Sequence, residues 1–322
     1  MYGISRGVQR GKPVKVVIYG VEGVGKSSLA ACFPSPMFLD LEESTKYLDV
    51  ARFDPAPRSW EELLSMVEWC SLGNMERGST LVVDTLDAAE ALCAAHVVAG
   101  DPKWTSIESP GYGKGYKMLQ EEFASLTRAL DLVVSAGVNV CCTAHAKIAK
   151  FELPDELGQF DRYAMKLTET KSVSVSAIVR EWADAVLFAN FESIVMRDEK
   201  SGKAKATGSK RVLHTEHDAC WDAKNRWGLP AKLPLDFAEI ANFVPKPDRE
   251  GQRAELLRLM SKDGVDAAML GRVCASQQIL ASDVPLDDYP PETVCRLVAG
   301  WPTVVEIAQE LRAEESEGIP FN

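Results

Sequence analysis

A glycine-rich turn between an apolar strand and a helix is the feature that most limits how this chain can fold. Residues 14–19 form a short, mostly β-branched run that predicts a buried strand, and Gly20-Val-Glu-Gly-Val-Gly-Lys-Ser27 follows it directly. A helix is predicted from Ser27 to Cys32. In this order the backbone N–H groups of the turn and the start of the helix face the same anion. The pattern G-x-x-x-x-G-K-[ST] therefore predicts a P-loop, which holds the phosphates of a nucleotide.

The P-loop predicts ATP and Mg²⁺ as cofactors. Lys26 is expected to reach the β- and γ-phosphates, and the Ser27 hydroxyl is expected to coordinate the metal. Asp84, at the end of an apolar run, is the predicted carboxylate ligand of the metal. Two alternatives stay open, since Asp84 can instead cap the helix that follows it, and Asp87 competes for the same role. The predicted nucleotide-binding residues are Gly20, Val21, Glu22, Gly23, Val24, Gly25, Lys26, Ser27 and Ser28.

Short apolar strands alternate with helical patterns through the first half of the chain. Strands are predicted at 37–40, 80–84 and 138–143, helices at 60–72, 87–98 and 118–134, and a loop at 100–117. This alternation predicts an α/β core with a mostly parallel central sheet flanked by helices. The predicted organisation is a basic arm at 1–13, the core at 14–245, a small helical C-terminal module at 246–313 and an acidic tail at 314–322.

The bulk composition excludes several classes of protein. A net charge of −11 means that any binding to nucleic acid must come from local basic segments. The eight cysteines show neither zinc spacing nor a disulfide framework, and no run of about 18 apolar residues is present. The first residues lack the apolar core of a signal peptide. We therefore expect a cytoplasmic protein with no membrane partner.

The strand after the P-loop helix ends in acids, as Phe38-Leu-Asp-Leu-Glu42. This arrangement resembles RecA-type recombinases, and the resemblance implies that Glu42 activates the attacking water. Glu43 is the alternative for that role, and both acids can also be simply exposed to solvent. The strand Val140-Cys-Cys-Thr-Ala-His145 ends in histidine where the RecA family has glutamine. The resemblance implies that His145 senses the γ-phosphate, although a purely structural histidine is the alternative.

Two cations stand one residue apart in Lys224-Asn-Arg-Trp-Gly228. On an extended strand both side chains leave the same face. The motif resembles the finger strand of DnaB-type replicative helicases, and the resemblance implies that Lys224 and Arg226 reach a γ-phosphate bound by the neighbouring subunit. It also implies self-assembly into a ring or filament, with charge stabilisation during phosphoryl transfer. The alternative is a solvent-exposed edge strand whose charges oppose aggregation.

Aromatic and basic residues share two segments, a combination that suits single-stranded nucleic acid. In RecA-like proteins the two DNA-binding loops occupy these positions, here 103–117 and 146–171. A third basic stretch, 200–211, is either a hairpin tip on DNA or a solvated turn. Both main segments can alternatively be ordinary surface loops. The predicted DNA-binding residues are Lys103, Tyr112, Lys114, Lys117, Lys147, Lys150 and Arg162.

Taken in order along residues 14–244, these motifs resemble a phage-type RecA-like P-loop ATPase of the single-strand annealing and recombination group. The resemblance implies an ATP-dependent protein that binds single-stranded DNA and hydrolyses ATP at subunit interfaces. A DnaB-like helicase or translocase, and an ATP-locked oligomeric DNA-binding module with little turnover, are the alternatives. The end of the tail resembles that of bacterial single-stranded-DNA-binding proteins, which implies recruitment of such a protein or its partners.

Overall fold

The computed structural model describes residues 11–152, 159–197 and 204–317. Within these ranges the chain forms ten strands that join in one sheet. The strands are β1 Lys15–Gly20, β2 Pro36–Asp40, β3 Ala51–Arg52, β4 Thr80–Asp84, β5 Asn139–Glu152, β6 Gln159–Met165, β7 Ala185–Arg197, β8 Ala204–His214, β9 Lys224–Asn225 and β10 Lys232–Pro234.

Nine α-helices lie in the same described part of the chain. They are α1 Lys26–Ala30, α2 Trp60–Trp69, α3 Leu86–Ala99, α4 Lys114–Ser135, α5 Val175–Trp182, α6 Arg249–Asp263, α7 Ala267–Ser276, α8 Pro291–Ala299 and α9 Trp301–Glu317. Among the described residues, no helix combines the length and the apolar character that a membrane crossing requires.

The main path of the sheet has the order β10-β8-β7-β1-β5-β4-β2-β3. From β7 to β3 every neighbouring pair is parallel, whereas β8 and β10 add antiparallel strands at one edge. Parallel neighbours need crossover connections, and helices supply most of them here. Consequently β1, β5, β4 and β2 all end at the same edge of the sheet, which is where the P-loop begins.

Both faces of the sheet are covered. Val17 and Tyr19 on β1 pack into one hydrophobic cluster with α2, α3, α4 and α5, while Val16 and Ile18 pack into the other with α1. Side chains alternate between faces along a strand, so a strand buried on both sides reads as a continuous apolar run. The predicted α/β core with a mostly parallel sheet flanked by helices is confirmed.

The small helical C-terminal module in the predicted fold is also present. Helices α6 to α9 surround a hydrophobic cluster of their own, which includes Leu256, Leu270 and Trp301. Arg249 attaches the module to the core, because its guanidinium donates to both carboxylate oxygens of the buried Glu76 at 2.9 and 3.1 Å. A bidentate pair of this kind fixes direction as well as distance.

Three boundaries differ from the sequence prediction. The predicted loop at 100–117 ends at Gly113, because α4 begins at Lys114. The fourth strand does not end at 143, since β5 continues to Glu152 and pairs with β6 as an antiparallel hairpin where a loop was predicted. Helix α9 runs through Glu317, so the segment predicted as a tail begins inside a helix. The rest of that tail, and most of the predicted basic arm, lie outside the described residues.

Candidate active site

The P-loop leaves the end of β1 at Gly20 and enters α1 at Lys26. A Cβ at Gly20 would lie 2.2 Å from the carbonyl oxygen of Ala189 on β7, so the close approach of these strands requires glycine. Gly25 has a φ of 104°, a left-handed conformation that other residues adopt only with strain. The turn therefore depends on glycine at two positions for different reasons, one steric and one conformational.

Lys26 is buried at the centre of the site, with only 6% of its surface exposed. Its ammonium group donates to the carbonyl oxygens of Gly20 and Val21 at 3.3 and 3.2 Å. Burial lowers the pKa of Lys26, and nearby carboxylates oppose that shift. Those carboxylates belong to Asp84, Asp87, Glu42 and Glu22. Four carboxylates thus act on the single positive charge of Lys26.

Asp84 is fully buried at the end of β4. One of its oxygens accepts a hydrogen bond from the Thr143 hydroxyl, and the other lies 3.4 Å from the hydroxyl oxygen of Ser44. Neither of these hydrogen-bonding partners is charged, and Asp84 shares the positive charge of Lys26 with three other carboxylates, so its own buried charge is only partly compensated, which is costly. The half-buried Ser27 has no side-chain hydrogen bond to another described residue. A carboxylate and a free hydroxyl are the oxygen donors that Mg²⁺ prefers, so Ser27 and Asp84 fit a magnesium ion.

Glu42, Asp87 and His145 form a second polar group beside the P-loop. His145 on β5 is the register partner of Gly20, and both its backbone N–H and its ring nitrogen Nδ1 bond to Asp87, at 2.9 and 2.8 Å. The same ring nitrogen is 3.7 Å from Glu42, and the ligand atoms of all three residues lie within 4.8 Å of one another. Burial alone would raise the pKa of Asp87, but the hydrogen bonds from His145 hold it below its ordinary value.

The partnership of His145 and Asp87 is not predicted by the sequence. The sequence offers Asp87 only as a competitor of Asp84, whereas the residue lies in the first turn of α3 and orients the histidine ring. An acid in the first turn of a helix that follows a strand was the signal available in the sequence. The structure therefore places Lys26, Ser27, Asp84, Glu42 and His145 at the same end of the sheet, and adds Asp87.

The predicted finger residues lie at the other end of the sheet. Strand β9 pairs with β7 at Ala185 and Val186, whereas the P-loop begins beside Ala189. The ammonium group of Lys224 donates to three carbonyl oxygens of its own chain, those of Arg180, Glu181 and Ala183, at 2.8, 3.0 and 2.6 Å.

Arg226 differs from Lys224 in its surroundings. Its guanidinium is 57% exposed and makes one ion pair, at 3.0 Å to Asp184. The ammonium group of Lys224 thus binds the end of α5 in its own chain, and its predicted contact with a neighbouring nucleotide stays a prediction. Arg226 is the cation that remains available to another subunit, and a role in that contact stays a prediction.

The first predicted DNA segment is exposed. Tyr112 is fully exposed between two glycines with positive φ, and Lys114 and Lys117 occupy the first turn of α4 rather than a loop. Among the residues that the structure describes, Lys117 pairs only with the exposed Glu121, at 3.7 Å, and Lys103 precedes this group in an exposed turn. Helix α4 leads into the start of β5, so its N-terminus lies at the P-loop end of the sheet.

The second predicted DNA segment is largely neutralised within the chain. The ammonium of Lys147 donates to the Leu167 carbonyl oxygen at 2.5 Å, and Lys150 pairs with Asp161 at 2.6 Å. Arg162 is buried, and its guanidinium lies 2.5 Å from a carboxylate oxygen of Asp222. The prediction that Arg162 contacts DNA is wrong, because a buried, ion-paired guanidinium is not accessible to a phosphate.

Known sequences and structures can be compared with this chain. No curated protein matches the chain in sequence. Solved structures that match include a KaiC-like protein from the hyperthermophilic archaeon Pyrococcus horikoshii OT3, which is 16% identical with a TM-score of 0.35. That match covers 65% of this chain and 87% of the archaeal chain. The family model AAA_24, described as an AAA domain, matches residues 12–227, a span that contains every residue of the site above. The chain therefore belongs to the AAA_24 family of P-loop ATPase domains.

Proposed function

We propose that this protein is an ATP-dependent single-stranded-DNA-binding protein of the annealing and recombination type, and that it hydrolyses ATP at the interfaces of a ring or filament. The observation that carries the proposal is the placement of Glu42, His145 and Asp87 at the P-loop end of the sheet, beside Lys26. An acid–base group in this position supports hydrolysis, because the terminal phosphate of a bound nucleotide is expected at this end of the sheet.

The site residues divide the work of binding and hydrolysis. Lys26 supplies a buried positive charge, while the Ser27 hydroxyl and the Asp84 carboxylate are placed to hold a metal ion. Mg²⁺, when bound, neutralises charge on the phosphate oxygens. Several carboxylates act on the single positive charge of Lys26. The positive charge of the metal ion would therefore balance these acids as well as the phosphates.

Glu42 is the residue best placed to accept a proton from water. One of its oxygens accepts a hydrogen bond from the Thr85 hydroxyl at 3.1 Å, and the other has no hydrogen bond to a described residue. General-base catalysis requires a carboxylate within hydrogen-bonding reach of the water. His145, whose ring is oriented by Asp87, lies beside Glu42 and acts as a positioning residue.

Two features at the same end of the sheet support a link between nucleotide and DNA. The exposed Tyr112 and the lysines Lys114 and Lys117 lie at the N-terminus of α4, and β5 continues past His145 into the hairpin with β6. Stacking on an aromatic ring and neutralisation of phosphates are the two main contributions to single-strand binding. We infer that single-stranded DNA binds at this end.

Assembly of several subunits is inferred from the position of Arg226. Arg226 lies at the end of the sheet opposite to the P-loop of its own chain. A contact between Arg226 and a nucleotide is therefore expected only across a subunit interface. An arginine supplied in this way typically raises the rate by about 10³ to 10⁵.

The proposal is tested by ATP turnover with and without single-stranded DNA, together with light scattering for mass. Turnover stimulated by DNA in an oligomer supports it, and a monomer that hydrolyses ATP at full rate contradicts it. DNA-independent oligomerisation with negligible turnover would favour the ATP-locked module. Displacement of a strand from a forked duplex would favour the helicase.

Replacement of Lys114 and Lys117 with alanine tests the DNA site. We expect weaker binding of a single-stranded oligonucleotide, and the slope of log affinity against log salt should fall by about 1.4, since each phosphate contact contributes about 0.7. The control replaces Lys246 and Lys262, two exposed lysines outside the segment, and removes the same charge. Equal binding by both double variants places the DNA elsewhere.

A further inference from the structure

Arg211 lies beside the P-loop of its own chain. It is on β8, where it pairs with Phe191, two residues beyond the Ala189 that pairs with Gly20. The antiparallel pairing of β7 and β8 therefore returns Arg211 to the P-loop end of the sheet. From the sequence alone, Arg211 belongs only to the basic stretch 200–211, which is predicted to be either a hairpin tip on DNA or a solvated turn.

The guanidinium of Arg211 packs against Gly25. Its Nη1 atom lies 2.9 Å from the position that a Cβ at Gly25 would occupy, and a methyl carbon of Leu235 lies 3.4 Å from the same position. Glycine thus allows the guanidinium to approach the phosphate-binding turn closely. A side chain at this position would displace either the arginine or the turn.

Arg211 also has no polar side-chain partner within the described part of the chain. It is exposed and makes no side-chain hydrogen bond or ion pair with any described residue. By contrast, Arg162, Arg180, Arg226 and Arg249 each pair with a carboxylate. An unpaired guanidinium held against a phosphate-binding turn is available to an anionic ligand of that turn.

The charge balance of the site indicates what that ligand is. Four carboxylates act on Lys26, which is the one buried cation of the P-loop within the described residues. A polyphosphate would add further negative charge to this environment, and a magnesium ion offsets only part of it. Guanidinium groups bind phosphate oxygens through two parallel N–H donors, which makes arginine suited to this position.

We propose that Arg211 is a phosphate-binding residue that acts in cis: its guanidinium donates to oxygens of the polyphosphate of a nucleotide held by the same chain's P-loop. The inference rests on the proposed nucleotide binding and extends it. In this arrangement Arg211 contacts the nucleotide bound by its own chain, whereas Arg226 contacts the nucleotide bound by the neighbouring chain.

The first test measures equilibrium binding of ATP, ADP and inorganic tripolyphosphate. Arg211→Gln is expected to weaken all three by about tenfold to a hundredfold, the range for hydrogen bonds to charged groups. Arg211→Lys, which keeps the charge, should lose less. Lys210→Gln is the matched control, because Lys210 is the adjacent exposed cation on β8 and pairs with Glu192 in the register. Its affinities should equal those of the unaltered protein.

Two outcomes of this test overturn the inference. One is unchanged affinity of Arg211→Gln in a protein that binds ATP. The other is a loss for ATP without a loss for tripolyphosphate, which would place Arg211 against the base or ribose. Failure of the unaltered protein to bind any nucleotide would instead refute the proposed function itself. Thermal melting of each variant checks that the fold is retained.

The second test separates action in cis from action in trans by mixing variants. Lys26→Ala subunits carry an intact Arg211, and Arg211→Gln subunits carry an intact P-loop. If Arg211 acts in cis, no site in the mixed oligomer has both groups, and turnover stays at the level of the separate variants. Recovery of turnover on mixing would show action in trans and overturn the inference. A mixture of Lys26→Ala with Arg226→Gln is the positive control, for which recovery is expected.

Discussion

Replacement of Lys224 with methionine separates a structural role of this cation from a role at a subunit interface. Methionine keeps an unbranched side chain but removes the ammonium group that donates to three carbonyl oxygens at the end of α5. The last carbonyl groups of a helix have no partner within it, and a lysine can satisfy them. The comparison variant is Arg226→Gln, which alters a cation only two residues away.

The expected loss of stability follows from these contacts. Each hydrogen bond contributes a net of about 0.5–1.5 kcal/mol, so three bonds would give about 3 kcal/mol. Burial lowers the pKa of Lys224, which shows that part of the gain is offset by desolvation. We therefore expect Lys224→Met to lower the free energy of unfolding by about 2 kcal/mol. Arg226→Gln removes one exposed ion pair and should cost less than about 1 kcal/mol.

Thermal unfolding and ATP turnover, measured on both variants, provide the assay. A loss of about 2 kcal/mol corresponds to a decrease in Tm of about 4–8 °C for a domain of this size. Arg226→Gln should keep its Tm and its affinity for nucleotide but lose turnover and nucleotide-dependent assembly. If Lys224→Met unfolds at the same temperature as the unaltered protein, the three hydrogen bonds do not stabilise the fold and the reasoning fails.

Three further predictions concern the site and its supports. Lys26→Ala should abolish ATP turnover, measured as phosphate release, and unchanged release would remove the P-loop assignment. Glu42→Gln should lower turnover by about 10² to 10⁴ while nucleotide affinity, measured by titration, is kept; a normal rate would exclude Glu42 as the base. Asp222→Asn removes the carboxylate shared by Arg162 and Arg180 and should lower the free energy of unfolding in urea by about 3 kcal/mol. A loss below about 1 kcal/mol would mean that solvent or other groups compensate the buried arginine.

The strands of the central sheet were predictable because their sequence signals are local. The run Thr80–Asp84 is apolar and β-branched and ends in a charged residue, and the structure has β4 with those same bounds. The extension of β5 to Glu152 was missed for a physical reason. Beyond His145 the strand leaves the central sheet and, among the described residues, pairs only with β6. Its sequence there mixes lysines with apolar residues without a strand period and resembles a surface loop.

The residues of the site that could be predicted are those that belong to the glycine-rich turn or that end an apolar strand. Lys26 and Ser27 are fixed by the P-loop pattern, and Asp84 ends an apolar run. Asp87 and Arg211 depend on tertiary pairing instead. Arg211 reaches Gly25 only because the register of β8 on β7, and of β7 on β1, places it there. No local pattern around residue 211 contains that information.

The arginines of this protein show how environment, rather than residue type, decides whether a guanidinium is accessible. Arg162 was predicted to bind DNA, but Asp222 and the ring of Phe151, 4.8 Å from its guanidinium, hold it inside the chain. Asp222 in turn exchanges hydrogen bonds with the hydroxyl of Tyr19, the residue before the P-loop, at 2.6 and 3.0 Å. Asp222 therefore links the β5–β6 hairpin to the strand that carries the P-loop. A buried charge that cannot reach DNA can still connect the hairpin mechanically to the nucleotide site.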